Sequence, residues 1–395
     1  MFVKLAEQGS TVLAIPAIRR AIQMVGRENV FFVAFEENRF ILDLLDLVPE
    51  QNVITISDRG LLSMALSALK ALGRLRGLQL DAAIDMEFFS RGSAAITFLS
   101  GAKARVGFHA FFGGGPYRGD LMTHRLSYNS RLHTTANFRL LAEALTLDPA
   151  KLPVLDFAPP EVDIDFPVFV PMPGEIDSVQ AMLPLSTGGG AQLVLLNPNA
   201  SDLVPLRQWP RERYVELANR LLADFPEIKI VFTGASNEAD EIGRLARQVG
   251  GVRCISLAGK TTLRQLMVLY TLSDVLVTND SGPAHFASLT QIHVVTLFGP
   301  ETPALFAAPT VRNLPLWAGL SCSPCVNAYN NRQSVCRDNR CMKLISVNQV
   351  FSEVRRILKQ RALIRNAGIP STKSTSARPS HPRPIKATPF SPVQS

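Results

Sequence analysis

The stretch SDVLVTNDSGPAHFASLTQIHVVTLFGPETP, residues 273–303, decides the fold. Its two apolar runs, 275–277 and 294–298, are short and rich in β-branched residues, which is typical of buried parallel strands. A turn of Asn, Asp, Ser and Gly separates them, and Pro283 suits the first turn of a helix, where its missing N–H is no loss. The stretch therefore predicts a strand, a turn, a short helix over 283–289 and a second strand, which is the repeating unit of a parallel α/β sheet.

The turn in this stretch predicts an anion site. In a strand–turn–helix unit, free backbone N–H groups and the positive end of the helix dipole point to the same place. Ser281 or Gly282 suits the N-cap position, and Asp280 and His285 flank the turn. We expect a nucleotide diphosphate to bind here.

Length, composition and charge limit the classes of protein. A chain of 395 residues with 47% apolar residues is long enough for two domains, each with its own core. The net charge is +8, and the stretch 366–395 supplies four of these charges without one acidic residue. We therefore expect an anionic substrate or a membrane surface as a partner and no nucleic acid. With no secretory signal and no membrane-spanning apolar run, we expect a cytoplasmic protein.

Short apolar runs alternate with amphipathic segments, the first of them a helix predicted over 11–24, which indicates βα units and parallel sheets. A segment rich in proline and glycine interrupts this alternation and is interpreted as a linker. Two α/β domains of this kind predict a cleft between the carboxyl ends of their sheets. The predicted parts are a first Rossmann-like domain (1–155), a linker (156–190), a second Rossmann-like domain (191–346), a helix (347–365) and a disordered basic tail (366–395).

Six blocks in the second half of the chain resemble glycosyltransferase family 9, the heptosyltransferase family of lipopolysaccharide synthesis, and they stand in the family's order. They are LLNPNAS (195–201), RQWPRERY (207–214), IVFTGASNE (230–238), LAGKTTLRQL (257–266), VTNDSGPAHFA (277–287) and LFGPETP (297–303). The first half is similar more loosely, through VKLAEQGSTVLAIPAIRRA (3–21) and ARVGFH (104–109). The resemblance implies the GT-B architecture and the inverting transfer of a sugar from a nucleotide diphosphate donor.

The resemblance also implies ADP-heptose as the donor, held by the second domain, and a lipid-linked saccharide such as a lipopolysaccharide core precursor as the acceptor. Arg207 stands where the family usually has Lys, and its guanidinium can hold a phosphate in a bidentate manner. The implied donor-binding residues are Ser201, Arg207, Gly234, Glu238, Asp280, Ser281, Gly282 and His285, with His285 also a catalytic candidate. Glu241 is an alternative to Glu238. Turn-capping, core and surface roles are the alternatives for Asp280, His285 and Arg207, respectively.

The first turn of the chain departs from the family pattern. The usual Gly-Asp is Gly9-Ser10 here, and the missing Asp is the base expected to deprotonate the acceptor hydroxyl. A neutral Ser10 cannot do this alone, so we assign the role to Glu7, the nearest carboxylate in the turn. The alternatives are that Glu7 is an exposed loop residue and that the chain binds a nucleotide sugar without turnover. A dinucleotide-dependent oxidoreductase is disfavoured, because no G-x-G-x-x-G follows a strand.

No metal is needed for the predicted catalysis, because a cation and backbone N–H groups can stabilise the leaving diphosphate. Asp163 and Asp165 form an Asp-x-Asp pair, but they lie in the predicted linker and are interpreted as part of a solvated loop. A structural zinc site is a separate possibility, for which plain thiols are an equal alternative and disulfides a weaker one. Its four ligands would be Cys322, Cys325, Cys336 and Cys341.

The segment 61–75 is predicted to form an amphipathic helix edged by basic residues. Such a helix is typical of a surface that rests on an anionic membrane, or of an ordinary core helix. The basic residues are Arg59, Lys70, Arg74 and Arg76. Because a lipid-linked acceptor would lie in the membrane, one expectation is a peripheral location at the inner face of the cytoplasmic membrane.

Overall fold

The first half of the chain forms one parallel sheet and the second half forms another, as described by a computed structural model. The described residues are 1–111, 117–159, 166–183, 191–200 and 204–366. The chain divides into two units. The first unit comprises Met1–Pro167 and Asn327–Gln333, and the second comprises Val168–Val326 with the chain from Ser334 onward.

The first unit contains a six-stranded parallel sheet in the order β3-β2-β1-β4-β5-β6. Its strands are β1 (Phe2–Val3), β2 (Phe32–Phe35), β3 (Val53–Ile56), β4 (Ala82–Asp85), β5 (Ala104–Phe108) and β6 (His124–Leu126). Its helices are α1 (Gln8–Leu13), α2 (Ile15–Val25), α3 (Arg39–Leu45), α4 (Leu61–Gly77), α5 (Arg91–Leu99) and α6 (Thr134–Glu143).

The second unit contains a second six-stranded parallel sheet, in the order β12-β11-β10-β7-β8-β9. Its strands are β7 (Leu193–Asn197), β8 (Lys229–Phe232), β9 (Cys254–Ser256), β10 (Val275–Asn279), β11 (His293–Phe298) and β12 (Asn313–Trp317). Its helices are α7 (Glu175–Gln180), α8 (Arg211–Asp224), α9 (Ala239–Val249), α10 (Leu263–Leu272), α11 (Gly282–Ala287), α12 (Pro303–Phe306), α13 (Arg340–Lys343) and α14 (Val347–Asn366).

Counted within each unit, both sheets have the same strand order, and the predicted α/β class with two Rossmann-like parallel sheets is confirmed. In each sheet the order reverses beside the first strand, between β1 and β4 and between β7 and β10. The carboxyl ends of strands at such a switch point are where open α/β sheets bind ligands. Each sheet therefore has one place where a site is expected.

The core of the second unit explains why its helices form where they do. Tyr214, Leu217 and Leu221 recur at helical spacing on α8 and pack with Ile230 and Phe232 of β8 in one buried cluster. The buried side of α14 belongs to the same cluster. No helix among the described residues combines the length and the apolar character that crossing a bilayer requires.

The predicted helix over 11–24 is wrong in one respect, because α1 and α2 replace it. Pro16 has no amide hydrogen and cannot donate to the carbonyl of Val12, so the helix is interrupted at Ala14. The amide of Ala14 donates instead to the carbonyl of Thr11, at 3.1 Å. The sequence preceding the bend is helical from Gln8 onward.

Two edge strands and three short helices were not predicted, namely β6, β12, α7, α12 and α13. The strands β6 and β12 lie at sheet edges, and the half-exposed β12 contains Pro315, which only an edge tolerates well. Neither strand has the apolar run that marks a buried parallel strand. The helix α7 lies within the predicted linker, where Glu175 pairs with Arg264 of α10 at 2.5 Å.

Candidate functional site

Asn279 fixes the geometry at the switch point of the second sheet. Its side-chain nitrogen donates to the carbonyls of Pro198, at 2.9 Å, and Asn199, at 3.2 Å. Its side-chain oxygen accepts from the amide of Trp209, at 3.1 Å, and from the hydroxyl of Tyr214, at 3.2 Å. One buried amide at the end of β10 thus holds the loop that follows β7 and the start of α8.

Three charged side chains meet beside this strand end, and we call Arg207, Asp280 and Glu301 the Arg207 cluster. Nη2 of Arg207 lies 2.5 Å from Oε2 of Glu301, and its Nε lies 3.7 Å from Oδ2 of Asp280. Asp280 follows β10 and Glu301 follows β11, the next strand in the sheet. Glu301 is 1% exposed and Asp280 is 4% exposed. Two buried carboxyl groups therefore share one guanidinium.

Burial sets the protonation of this cluster. Desolvation raises the pKa of Glu301, Asp280 raises it as well, and Arg207 lowers it. The net result is a pKa of about 8. Burial lowers the pKa of Arg207, but Glu301 and Asp280 more than offset this, so that it lies above its ordinary value. In the described chain, Nε of Arg207, Oδ2 of Asp280 and Oε1 of Glu301 lack hydrogen-bond partners. Because buried polar atoms are normally paired, this concentration makes the cluster a candidate for contact with a polar ligand.

The predicted anion-binding turn leads into α11, which is only six residues long. Ser281 occupies the N-cap position, as predicted, but its hydroxyl donates to the carbonyl of Asn279 at 3.2 Å and makes no cap. His285 is buried on α11, which begins at Gly282. So short a helix has a weak dipole, and its N-terminus alone is a weak site for an anion.

Gly234 and Glu238 lie after β8, at the start of α9. The carboxylate of Glu238 accepts from the amide of Ala235 at 2.7 Å. A Cβ on Gly234 would lie 2.9 Å from that carboxylate, so glycine leaves room for the cap. The alternative residue, Glu241, pairs with Arg211. Both glutamates have structural partners, and the contact of either with a nucleoside stays a prediction.

Ser201 lies outside the described residues, as do Asp163 and Asp165 of the predicted linker. Among the remaining donor candidates, the structure brings Arg207 and Asp280 together. It adds Glu301, which the sequence argument did not single out although the residue stands in the quoted block LFGPETP.

A second charged group lies at the switch point of the first sheet, and we call Lys4, Glu7, Glu87 and Arg332 the Glu7 cluster. Lys4 is fully buried, with its Nζ 3.1 Å from Oε1 of Glu87 and 3.7 Å from Oε2 of Glu7. The guanidinium of Arg332 pairs with the other oxygen of Glu7. The cluster therefore combines two basic side chains with two acidic ones, and burial lowers the pKa of Lys4, although Glu87 raises it.

The backbone around Glu7 is held in an uncommon conformation. Glu7 has φ 67°, Asn331 has φ 51° and Arg332 has φ 57°, all in the left-handed region. For residues with a Cβ this conformation costs energy, and it concentrates at functional sites. The Arg332 guanidinium lies 5.5 Å from the ring centroid of Phe88, and burial lowers its pKa to about 10. The Glu7 carboxylate is thus held by defined partners.

Ser10 and a buried ion pair support this first turn. The Ser10 hydroxyl donates to the Glu7 carbonyl at 2.9 Å and lies 3.5 Å from the Glu7 carboxylate. Asp85, at the end of β4, pairs with Arg118 at 2.8 Å, and burial raises the pKa of Asp85 to about 6. A Cβ at Gly107 would lie 2.3 Å from the Arg118 guanidinium, which explains the glycine in the block ARVGFH.

The four cysteines of the predicted zinc site are free thiols in the second unit. Cys325 accepts from the Ser334 hydroxyl at 3.2 Å, and burial raises the pKa of Cys341 to about 11. Within the described ranges, no group of three or more His, Cys, Asp or Glu side chains stands in an arrangement that would hold a metal ion. The zinc site stays a prediction, and less than ~0.2 zinc per purified chain would count against it.

Comparison with known proteins shows which proteins this chain is similar to. The family model for glycosyltransferase family 9 (heptosyltransferase) matches residues 69–335. Lipopolysaccharide heptosyltransferase 2 of Salmonella typhimurium is 33% identical over 104 residues, which are 26% of this chain and 30% of that protein. Lipooligosaccharide heptosyltransferase 2 of Campylobacter jejuni is 26% identical over 179 residues, which are 44% of this chain and 54% of that protein. The chain thus spans about a third to a half of the length of these curated relatives.

The fold is similar to that of a solved structure, the E. coli ADP-heptose lps heptosyltransferase II. The TM-score is 0.68, and the similarity covers 91% of this chain and 98% of that chain. Sequence identity is 19%, so this likeness concerns the fold. Together with the two parallel sheets, it confirms the predicted GT-B type of fold.

Proposed function

Because this chain belongs to glycosyltransferase family 9, we propose that it transfers a heptose from ADP-heptose to a lipid-linked saccharide, such as a lipopolysaccharide core precursor. The observation that carries the proposal is the Arg207 cluster, a buried cation with unpaired polar atoms at the switch point of the second sheet. The relatives named above are heptosyltransferases, and the solved structure has ADP-heptose in its name.

Arg207 suits the chemistry of the leaving group. Transfer breaks the bond between the sugar carbon and the diphosphate oxygen, and negative charge develops on the diphosphate. A buried guanidinium stabilises such a charge strongly, and its planar fork can bind two phosphate oxygens. We propose that this residue does the work for which other enzymes use a divalent metal.

Glu7 is the base in this proposal. Its carboxylate pairs with Lys4 and Arg332 and, when ionised, can take the proton from the acceptor hydroxyl as that oxygen attacks the sugar. Attack from the side opposite the diphosphate inverts the anomeric centre in one step. Ser10 holds the turn through its bond to the Glu7 carbonyl.

The alternative is a protein that binds a nucleotide sugar without turnover. It is favoured by Ser10, which stands where the family has the Asp that serves as the catalytic base. The Ser10 hydroxyl donates to a backbone carbonyl instead. It is also favoured by the two cations on Glu7, because they weaken a carboxylate as a base. A transfer assay separates the two functions.

The assay incubates the protein with ADP-heptose and lipid-linked acceptors, and measures ADP release and the mass of the product. We expect transfer by the wild type and none by Arg207→Ala or His285→Ala. A matched control is Glu216→Gln, an exposed helix residue paired with Arg220, which should behave as wild type. Binding of ADP without transfer to any acceptor would establish the alternative, and failure to bind ADP would refute both functions.

An exposed apolar surface on α4 supports an anionic bilayer as a partner. Leu62, Leu66 and Leu69 recur at helical spacing and are 76%, 61% and 66% exposed, and Leu61 beside them is 86% exposed. The helix has no acidic residue and carries Lys70, Arg74 and Arg76 in its second half. A second copy of the chain would bring like charges together, whereas anionic lipid complements them. We propose that this surface rests on the membrane that holds the acceptor.

Flotation with vesicles tests this surface. We expect the wild type to bind vesicles that contain phosphatidylglycerol, and the triple variant Leu62→Ser, Leu66→Ser, Leu69→Ser to lose at least about tenfold in binding. Leu363→Ser, at an exposed leucine of α14, is the matched control and should bind as wild type. The surface is not a membrane contact if the triple variant floats as well as the wild type.

A further inference from the structure

The Arg207 cluster has an excess of negative charge that the proposed reaction does not use. Arg207 faces two carboxyl groups, Asp280 and Glu301, and the two carboxyl groups are themselves within hydrogen-bonding reach of each other. With both carboxyl groups ionised, the cluster would carry a net charge of −1. A nucleotide diphosphate is itself an anion, so such a cluster would repel the ligand for which the site is otherwise built.

One proton removes this conflict. An ionised carboxylate only accepts hydrogen bonds, whereas a protonated carboxyl group also donates one. Oδ2 of Asp280 and Oε1 of Glu301 are buried and have no partner among the described residues. A proton on one carboxyl group would give the pair an O–H···O bond and would leave the cluster neutral before the ligand arrives. The positive charge of Arg207 would then be balanced by a single carboxylate.

We infer that Glu301 is a donor-binding residue that acts in its protonated form. It shares a proton with Asp280, so that the positive charge of Arg207 can bind the diphosphate. This inference rests on the proposed function, because it takes a nucleotide diphosphate as the ligand. It makes two statements about binding. The site binds the diphosphate when Glu301 is neutral. At a pH where Glu301 of the free protein has lost its proton, binding of the diphosphate takes one up.

The direction of the pH dependence follows from the raised pKa. The charged groups that face Glu301 are Arg207, from the turn before α8, and Asp280, from the end of β10. Burial, with Asp280, outweighs Arg207 and raises the pKa of Glu301 to about 8. A carboxyl group with a raised pKa keeps its proton below that pKa and loses it above. Binding that needs the proton is therefore complete at neutral pH and is lost as the pH rises through about 8.

Calorimetric titration with ADP tests the inference without any transfer reaction. Between pH 7 and pH 9 the protonated fraction of a group with pKa 8 falls about tenfold, so wild-type affinity for ADP should fall about tenfold. Glu301→Gln keeps the size and a hydrogen-bond donor but does not titrate. The affinity of this variant for ADP should change less than about twofold between pH 7 and pH 9. Glu216→Gln should retain the wild-type pH dependence.

The heat of binding in buffers of different ionisation enthalpy counts the protons. The ADP phosphates are fully ionised above about pH 8, so uptake there comes from the protein. We expect an uptake of about half a proton or more per ADP in the wild type at pH 8.5, and none in Glu301→Gln. Since this count needs only the wild type, it also decides the question if the variant fails to fold.

Three results would overturn the inference. They are a tenfold pH dependence that persists in Glu301→Gln, loss of ADP binding by that variant at pH 7 while it remains folded by circular dichroism, and zero proton uptake by the wild type. Absence of ADP binding by the wild type at every pH would instead refute the proposed function itself. The two failures are therefore distinguishable.

Discussion

The two sheets place buried charge at equivalent positions, but the balance of charge differs. The Glu7 cluster lies after β1 and β4 and combines two cations with two carboxylates. The Arg207 cluster lies after β10 and β11 and combines one cation with two carboxyl groups. The same strand order therefore supports two kinds of electrostatic site.

The difference indicates what each site can do. Where basic side chains match carboxylates, as around Glu7, the charges pair within the cluster. Where carboxyl groups outnumber cations, burial raises the pKa of one of them, Glu301, and this supports our inference that the Arg207 cluster holds a proton when it binds an anion. Substitutions that change the balance in one cluster should therefore leave the chemistry of the other intact.

The largest expected effect comes from removing the cation of the Arg207 cluster. In Arg207→Ala, ADP loses a charge-assisted bidentate partner and meets two carboxyl groups, so its affinity should fall about 100-fold or more. Calorimetry measures the affinity, and circular dichroism confirms that the variant is folded. Near-wild-type affinity would mean that this cluster is not the diphosphate site, and the comparison would fail.

Glu7→Gln should have the next largest effect, and on a different step. Without a base for the acceptor hydroxyl, kcat for transfer should fall about 100-fold, while the affinity for ADP stays unchanged. Steady-state transfer kinetics and calorimetry measure the two quantities. A wild-type kcat would assign the base elsewhere, and a change in ADP affinity would show that the clusters are not independent.

Arg332→Gln sharpens the assignment, because Arg332 should act through Glu7. Loss of its ion pair should lower kcat about tenfold in the wild-type background and have no further effect in Glu7→Gln. The four proteins of this double-mutant cycle are compared by transfer kinetics. Equal, additive losses in both backgrounds would mean that Arg332 supports the fold and does not position Glu7.

The smallest expected effect comes from Arg207→Lys, which keeps the charge and changes its shape. An ammonium group cannot bind two phosphate oxygens as a planar fork does, so ADP affinity should fall only about three- to tenfold. Calorimetry at pH 7 measures it. A loss as large as that of Arg207→Ala would show that geometry, and not charge, dominates at this position.

The central strands could be predicted from the sequence, and the edges could not. Apolar runs such as 275–277 mark buried parallel strands, and β10 and β11 lie where they were expected. β12 was not predicted, because an edge strand needs no apolar run and tolerates Pro315. The break between α1 and α2 was foreseeable, because Pro16 was visible in the predicted helix.

The site was predictable where a short block carries it. Asp280 stands in a turn whose chemistry is local, and Arg207 stands in a block that resembles the family. Glu301 was missed because only the neighbouring strands β10 and β11 bring it to Asp280. An acidic residue in the turn that follows the buried strand β11 was the available signal. Nothing near Arg332 in the sequence indicated its contact with Glu7, which depends on tertiary structure.

The segment Asn327–Gln333 has a consequence for how such enzymes can be recombined. It belongs to the first unit although the chain on both sides of it belongs to the second. A fragment that ends at Pro167 would lack Arg332, which pairs with Glu7, and also Tyr329, whose ring centroid lies 5.4 Å from that of Phe89. The two units are therefore not separate stretches of chain, and a chimaera that exchanges the first unit between relatives must carry this short segment with it.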